Sequence, residues 1–293
     1  MQSPLAAGRR LVQHQPMTGD AAIDEAIREI GLLEDEEVDL LGSAFALALL
    51  DDPGADLDMA ESVIAEIDDD LDDCFDTGRP ADRALTLASI IGGRHAFVGN
   101  AENYDDPGNA DLLRVVETRR GLPVALAIIY VELARLRGWE AEVLNVPGHV
   151  LVRIGTREDG QVIDPFNGGA AIDGDGINAL LEGHYRRRVP AIQRDFAAMT
   201  NREVLVRLLN NPAGRAEAAR DFERARELYR RMVAIAPADL TGWWGCARMA
   251  VAMGDPDEIR ADLAAMLELT RDPHMRARIA TMLEREQARR ERR

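Results

Sequence analysis

The stretch "HVLVRIGTREDGQVIDPFNGG" carries a histidine, His149, and an aspartate, Asp164, on what read as two consecutive strands. A histidine oriented by a carboxylate is the general base of many hydrolases and transferases. Side chains alternate along strands, so the two share a face only if paired residue numbers sum to an odd value such as 313 or 315. A sum of 316 would put them on opposite faces. Taken alone, His149 is a strand-start histidine satisfied by backbone, and Asp164 anchors a strand end. Asn167, in "DPFNGG", either lends an amide to a pocket or closes the turn, and turn chemistry is the simpler reading.

Those two strands need a scaffold. Upstream, "RRGLPVALAIIYVELARLRGW" places Pro123 at a first helical position and Gly138 just past the end. It is apolar all round as far as Val131, the mark of a helix buried in the middle of a domain. "EAEVLNV", "HVLVRIG" and "QVIDPF" follow as three short strands, with a hairpin between the last two. Before this, residues 20–106 carry four helical patterns. The second closes at Asp52–Gly54, the third has the stripe Met59, Val63, Ile67, Leu71, and the fourth ends at Gly92-Gly93. A polar loop containing Tyr104, Asp105, Asp106 and Asn109 leads to the core and is placed to line a pocket mouth.

The order helix, strand, strand with His149, strand with Asp164 resembles the transglutaminase-like core of papain-type thiol enzymes. The resemblance implies a cysteine at the N-terminus of the buried helix, where the helix dipole lowers a thiol pKa. Counting back from Gly138 puts that position at or beside Pro123, and Gly121, Leu122, Pro123, Val124 and Ala125 offer no nucleophile. The four serines all precede residue 90. Cys74 lies among carboxylates that raise its pKa, and Cys246 falls in the C-terminal region. The motifs "RRGLP", "PGHVLVR" and "IDPFNGG", followed by "LLNN" and degenerate tetratricopeptide repeats, resemble the SirB-type bacterial family of transglutaminase-like/tetratricopeptide (TPR) proteins. The resemblance spans roughly residues 40–270, and a related core occurs in a eukaryotic F-box protein. It implies an α+β, mainly helical fold: a papain-type core of one central helix on a small antiparallel sheet, with C-terminal TPR-like helices. In that family the helix starts Gly-(Ile/Leu)-Pro in place of the catalytic cysteine, often with a serine two positions after the proline; here that position is Ala125. The resemblance brings no substrate or reaction.

In the C-terminal region, Ala225, Tyr229, Met232 and Pro237 fall at TPR offsets, and 34 residues on from Leu209 stands Trp243. About two repeats fit, followed by an arginine-rich helix. They serve either as a cap on the core or as a peptide-binding groove. The expected division is a tail at 1–19, an acidic helical part at 20–106, the core at 107–200 and the TPR-like region at 201–293.

Residues 20–106 hold 25 acidic and 4 basic side chains, a net −21, against −17 for the whole chain. This argues against nucleic-acid binding there. Every basic residue is arginine, so no lysine is available for Schiff-base chemistry. Two distant cysteines give no disulfide framework and fit a reducing compartment, and no secretory signal or membrane span is expected. No metal or cofactor motif occurs. The expectation is a cytoplasmic, non-catalytic module that recognises a protein or peptide. The alternatives are a hydrolase with His149 as general base oriented by Asp164, and a subunit that completes a thiol site with a partner's cysteine.

Overall fold

The structure, a computed structural model, describes residues 27–185 and 196–290. The tail at 1–19, and the first helical pattern as far as residue 26, lie outside the described residues. The described residues fall into two compact units, one within Glu34–Val204, the other within Leu205–Arg293 together with the short stretch Asp24–Leu33.

In the first unit, aspartates start the helices. Asp39 Oδ1 accepts the Gly42 N–H at 3.0 Å and opens α1 (Leu40–Asp51), and Asp56 caps α2 (Leu57–Asp72) through the Met59 N–H. Ala60, Ile64, Ile67 and Leu71 form the buried stripe of α2, while Met59 and Val63 sit at its half-buried border. Helix α3 (Pro80–Leu87) does not stop at Gly92-Gly93. It passes into a π-helical segment, Ala88–Arg94, that contains both glycines. The cause is tertiary. A β-carbon on Gly92 would lie 2.2 Å from Gly168 O, so glycine is there for a backbone-to-backbone approach. The segment is pinned where it ends: Asp70 takes Arg94 Nη1 at 2.6 Å on one oxygen and His95 Nε2 at 2.7 Å on the other.

Strand β1 (Val98–Gly99) pairs in parallel with β2 (Arg120–Gly121), and α4 (Leu112–Thr118) lies between them in sequence. Helix α5 (Pro123–Leu136) follows with Pro123 at its start, and every residue from Pro123 to Ala134 is buried. It packs on β3 (Ala141–Val146) and β4 (His149–Ile154). These belong to a four-stranded antiparallel sheet with β5 (Gln161–Asp164) and β6 (Ala170–Ala171), in the order β3-β4-β5-β6. Pro147-Gly148 closes the β3–β4 hairpin, with Gly148 at φ 78°. The outer edge of β3 is covered: Leu144 bridges Ala198, and the Met199 N–H donates to Val143 O at 2.8 Å. Helix α6 (Gly174–Tyr185) packs Ile177 and Leu181 on Leu144, Val146 and Leu151 of the sheet.

Helix α7 (Asn201–Ala218) begins in the first unit and from Leu205 belongs to the second. There α8 (Phe222–Ile235), α9 (Leu240–Met253), α10 (Pro256–Leu269) and α11 (Pro273–Arg290) each pack on the next. Gly245 lets α9 lie against the Tyr229 ring, where a β-carbon would fall 2.1 Å from ring carbons. The fold is α+β and mainly helical with small sheets. No described helix is long and apolar enough to cross a membrane.

Candidate functional site

The β4–β5 register pairs Val152 with Ile163, Arg153 with Val162 and Ile154 with Gln161, each summing to 315. His149, first in β4, and Asp164, last in β5, therefore face the same side. Their side chains meet: His149 Nε2 lies 2.9 Å from Asp164 Oδ2. The approach is off the ring N–H axis, so Nε2 has a close charge partner but no aligned hydrogen bond. The imidazole is 15% exposed and the carboxylate 1%.

Asp164 is held from its own turn. Its Oδ1 accepts the Phe166 N–H at 2.9 Å, and its Oδ2 accepts Asn167 Nδ2 at 2.7 Å. Asn167 thus binds the carboxylate and helps close the turn, which Gly168 completes at φ 66°. Burial pushes the Asp164 carboxyl up, but His149 contact and charge, the Asn167 amide and the Phe166 N–H outweigh it, so the net shift is downward. A lowered carboxyl pKa adds stability that is complete above the ordinary value of 3.8 and is lost as pH falls through the lowered value. Acid unfolding followed by circular dichroism is therefore expected to be shallower below pH 3.8 in Asp164→Asn than in wild type.

An aromatic line surrounds the imidazole. Phe166 meets His149 edge-on at 6.1 Å between centroids, and Tyr104 meets Phe166 at 5.9 Å. Gly99 gives Phe166 room, since a β-carbon there would fall 2.2 Å from its ring. The 100–110 loop thus reaches the site through Tyr104. Asn109 is its internal tie, donating to Asn103 O and Tyr104 O, while its own carbonyl accepts the Leu122 N–H at 2.9 Å at the start of α5. Asp106 caps the Gly108 N–H in the same loop.

Pro123 is buried in the first turn of α5 between the equally buried Leu122 and Val124. Neither cysteine takes its place. Cys74 Sγ donates to Asp70 O at 3.4 Å in α2, and Cys246 is buried in α9, where desolvation pushes its thiol up to about 12. No described group of three or more His, Cys, Asp or Glu side chains is arranged to hold a metal.

One member of the site gave no signal in the sequence. Tyr130 of α5 is fully buried beside Asp164, whose charge, after desolvation, adds to the upward shift of the phenol. Its hydroxyl has no hydrogen-bond partner among the described residues. An orphaned buried hydroxyl costs about 1–3 kcal/mol. Tyr130→Phe is therefore expected to raise stability by about 1 kcal/mol in urea titration; a loss of that size would show that the hydroxyl has a partner.

The comparisons follow this geometry. A family model described as the transglutaminase-like superfamily matches residues 57–210. The UPF0162 protein of Xylella fastidiosa strain 9a5c is 30% identical over 181 residues, 61% of this chain and 64% of that protein. The UPF0162 protein of strain Temecula1 is 36% identical over 118 residues, 39% of this chain and 42% of that protein. The chain thus spans less than two thirds of the length of these curated relatives. F-box only protein 21 of Homo sapiens is 31% identical over 71 residues, 24% of this chain and 11% of that protein. With the family match covering more than half of its residues, this chain belongs to the transglutaminase-like superfamily.

Proposed function

We propose that the chain is a non-catalytic, SirB-type transglutaminase-like module that recognises a protein or peptide through its degenerate cleft. The observation that carries this reading is the buried Pro123 at the helix start, where a thiol enzyme needs its cysteine. His149 and Asp164 then serve as a clasp that fixes the β5 turn and presents Phe166 and Tyr104. The C-terminal helices, with Tyr229 of α8 seated on Gly245 of α9, are TPR-like and supply a further recognition surface.

A second reading, a hydrolase using His149 as general base for water, draws on the orientation of the imidazole. With Nε2 turned to the carboxylate, Nδ1, which bonds no described residue, is the nitrogen left for a proton. A single experiment separates the two. Purified protein is panned against a displayed peptide library, and selected peptides are incubated with wild type and with His149→Gln under mass-spectrometric readout. Recognition predicts peptides that bind intact and lose affinity on Phe166→Ala. Cleavage by wild type that His149→Gln abolishes would replace this reading with the hydrolase.

A further inference from the structure

On the residues following Tyr130 in α5, a second polar cluster is buried, independent of the His149 site. Glu132 is 8% exposed and shares a hydrogen bond with Asp39, the residue that caps α1. Arg135 Nη1 donates to Glu132 Oε1 and to Asn201 Oδ1, each at 3.0 Å. Asn201, also 8% exposed, donates Nδ2 to Asp35 O and Val38 O, both at 3.0 Å. Asp35 in turn accepts the Asn201 and Arg202 N–H groups and faces the Arg202 guanidinium at 3.7 Å. Three pieces of chain meet here: the entry to α1, the C-terminal turns of α5 and the first turn of α7.

The charges at the centre do not balance. Two carboxyls, Glu132 and Asp39, lie against each other, and the one guanidinium bonded to them, Arg135 on Glu132, is itself 34% exposed. Two anions sharing one cation in a poorly solvated site retain a proton between them. The hydrogen bonds say where it sits. Burial raises the Asp39 carboxyl too, but its cap bonds from the Gly42 and Leu41 N–H groups and the bond from Glu132 favour its ionised form, so Glu132 carries the proton and donates it to Asp39. We propose that this protonated Glu132–Asp39 pair is a pH-sensitive joint that fastens the entry of α1 and the start of α7 to the central helix and loosens when the proton leaves.

Desolvation, then the Asp39 charge, raises the Glu132 carboxyl to about 7, which places the release near neutrality. For an acid with a raised folded-state pKa, the added stability is complete below the ordinary value, here 4.5, and is lost as pH rises to the folded value.

The test is amide hydrogen exchange on the full chain at pH 5.5 and 8.5, corrected for intrinsic rates, read on peptides covering residues 39–45 and 200–204. Wild type is expected to lose protection in both segments by on the order of tenfold or more at the higher pH. Glu132→Gln, a neutral donor at every pH, is expected to hold protection constant. Asp39→Asn removes the second anion, leaves Glu132 paired with Arg135 alone, and is expected to lose the pH dependence as well. Wild-type protection equal at the two pH values overturns the proposal. So does a wild-type pH response that survives in Glu132→Gln or, if that variant does not fold, in Asp39→Asn.

Discussion

Asp164→Ala is expected to lower stability by about 3 kcal/mol or more, because each buried polar group left without its partner costs about 1–3 kcal/mol. Three groups lose their partner together: the Phe166 N–H, the Asn167 amide and the His149 imidazole. The His149 imidazole loses the carboxylate against it, and the turn that carries Phe166 loses its cap. Urea denaturation measures the effect as a lower midpoint at unchanged m-value. A loss below about 1 kcal/mol would mean that the carboxylate contributes no more than an exposed ion pair does.

Gly92→Ala is expected to cost about 3 kcal/mol or more, while Gly93→Ala is expected to be neutral or slightly stabilising. The contrast comes from what each β-carbon meets. At Gly92 it would stand 2.2 Å from Gly168 O, 2.7 Å from its carbonyl carbon and 2.8 Å from its Cα, all backbone with no flexible side chain to yield. At Gly93 the nearest atom is Ala88 O at 3.7 Å, an ordinary contact. The 165–169 turn cannot retreat easily. Gly169 sits at φ 79°, and a β-carbon there would lie 2.9 Å from both Ala88 and Tyr130. Alanine at Gly92 therefore forces the π-helical segment away from the turn that holds Asp164. Thermal melts of both variants check the energies. The His149 imidazole resonance, followed by NMR across pH, checks the displacement: it is expected to move in Gly92→Ala and to stay in Gly93→Ala.

The parts of this fold legible in the sequence are those with a short period or a local signal. The apolar run after Pro123 identified the central helix, and short stretches rich in Val, Ile and Leu identified β3, β4 and β5. Strand alternation narrowed the parity of His149 and Asp164 to a choice of register, which the β4–β5 pairing makes. What the sequence hid arises from docking between distant segments. The β1–β2 pair is two residues long on each side and joins Val98 to Arg120. The π-helical segment looks like a helix stopped by two glycines until Gly168 is seen against it. Glu132 reads as an ordinary helical glutamate, since nothing local announces Asp39, and Tyr130 reads as one more apolar position.

The cover that residues 198–199 lay along β3 has a consequence for how this module meets other proteins. An open sheet edge is a template onto which a foreign extended chain adds itself as an extra strand, giving affinity through backbone groups that every polypeptide shares. Here the Leu144 and Val143 positions of that edge are occupied from within, and the opposite edge, β6, offers only Ala170–Ala171. The sheet is thereby guarded against indiscriminate strand addition and edge-to-edge clumping. On the recognition reading proposed above, discrimination between partners falls to side chains such as Tyr104 and Phe166, whose identity and placement this particular sequence controls.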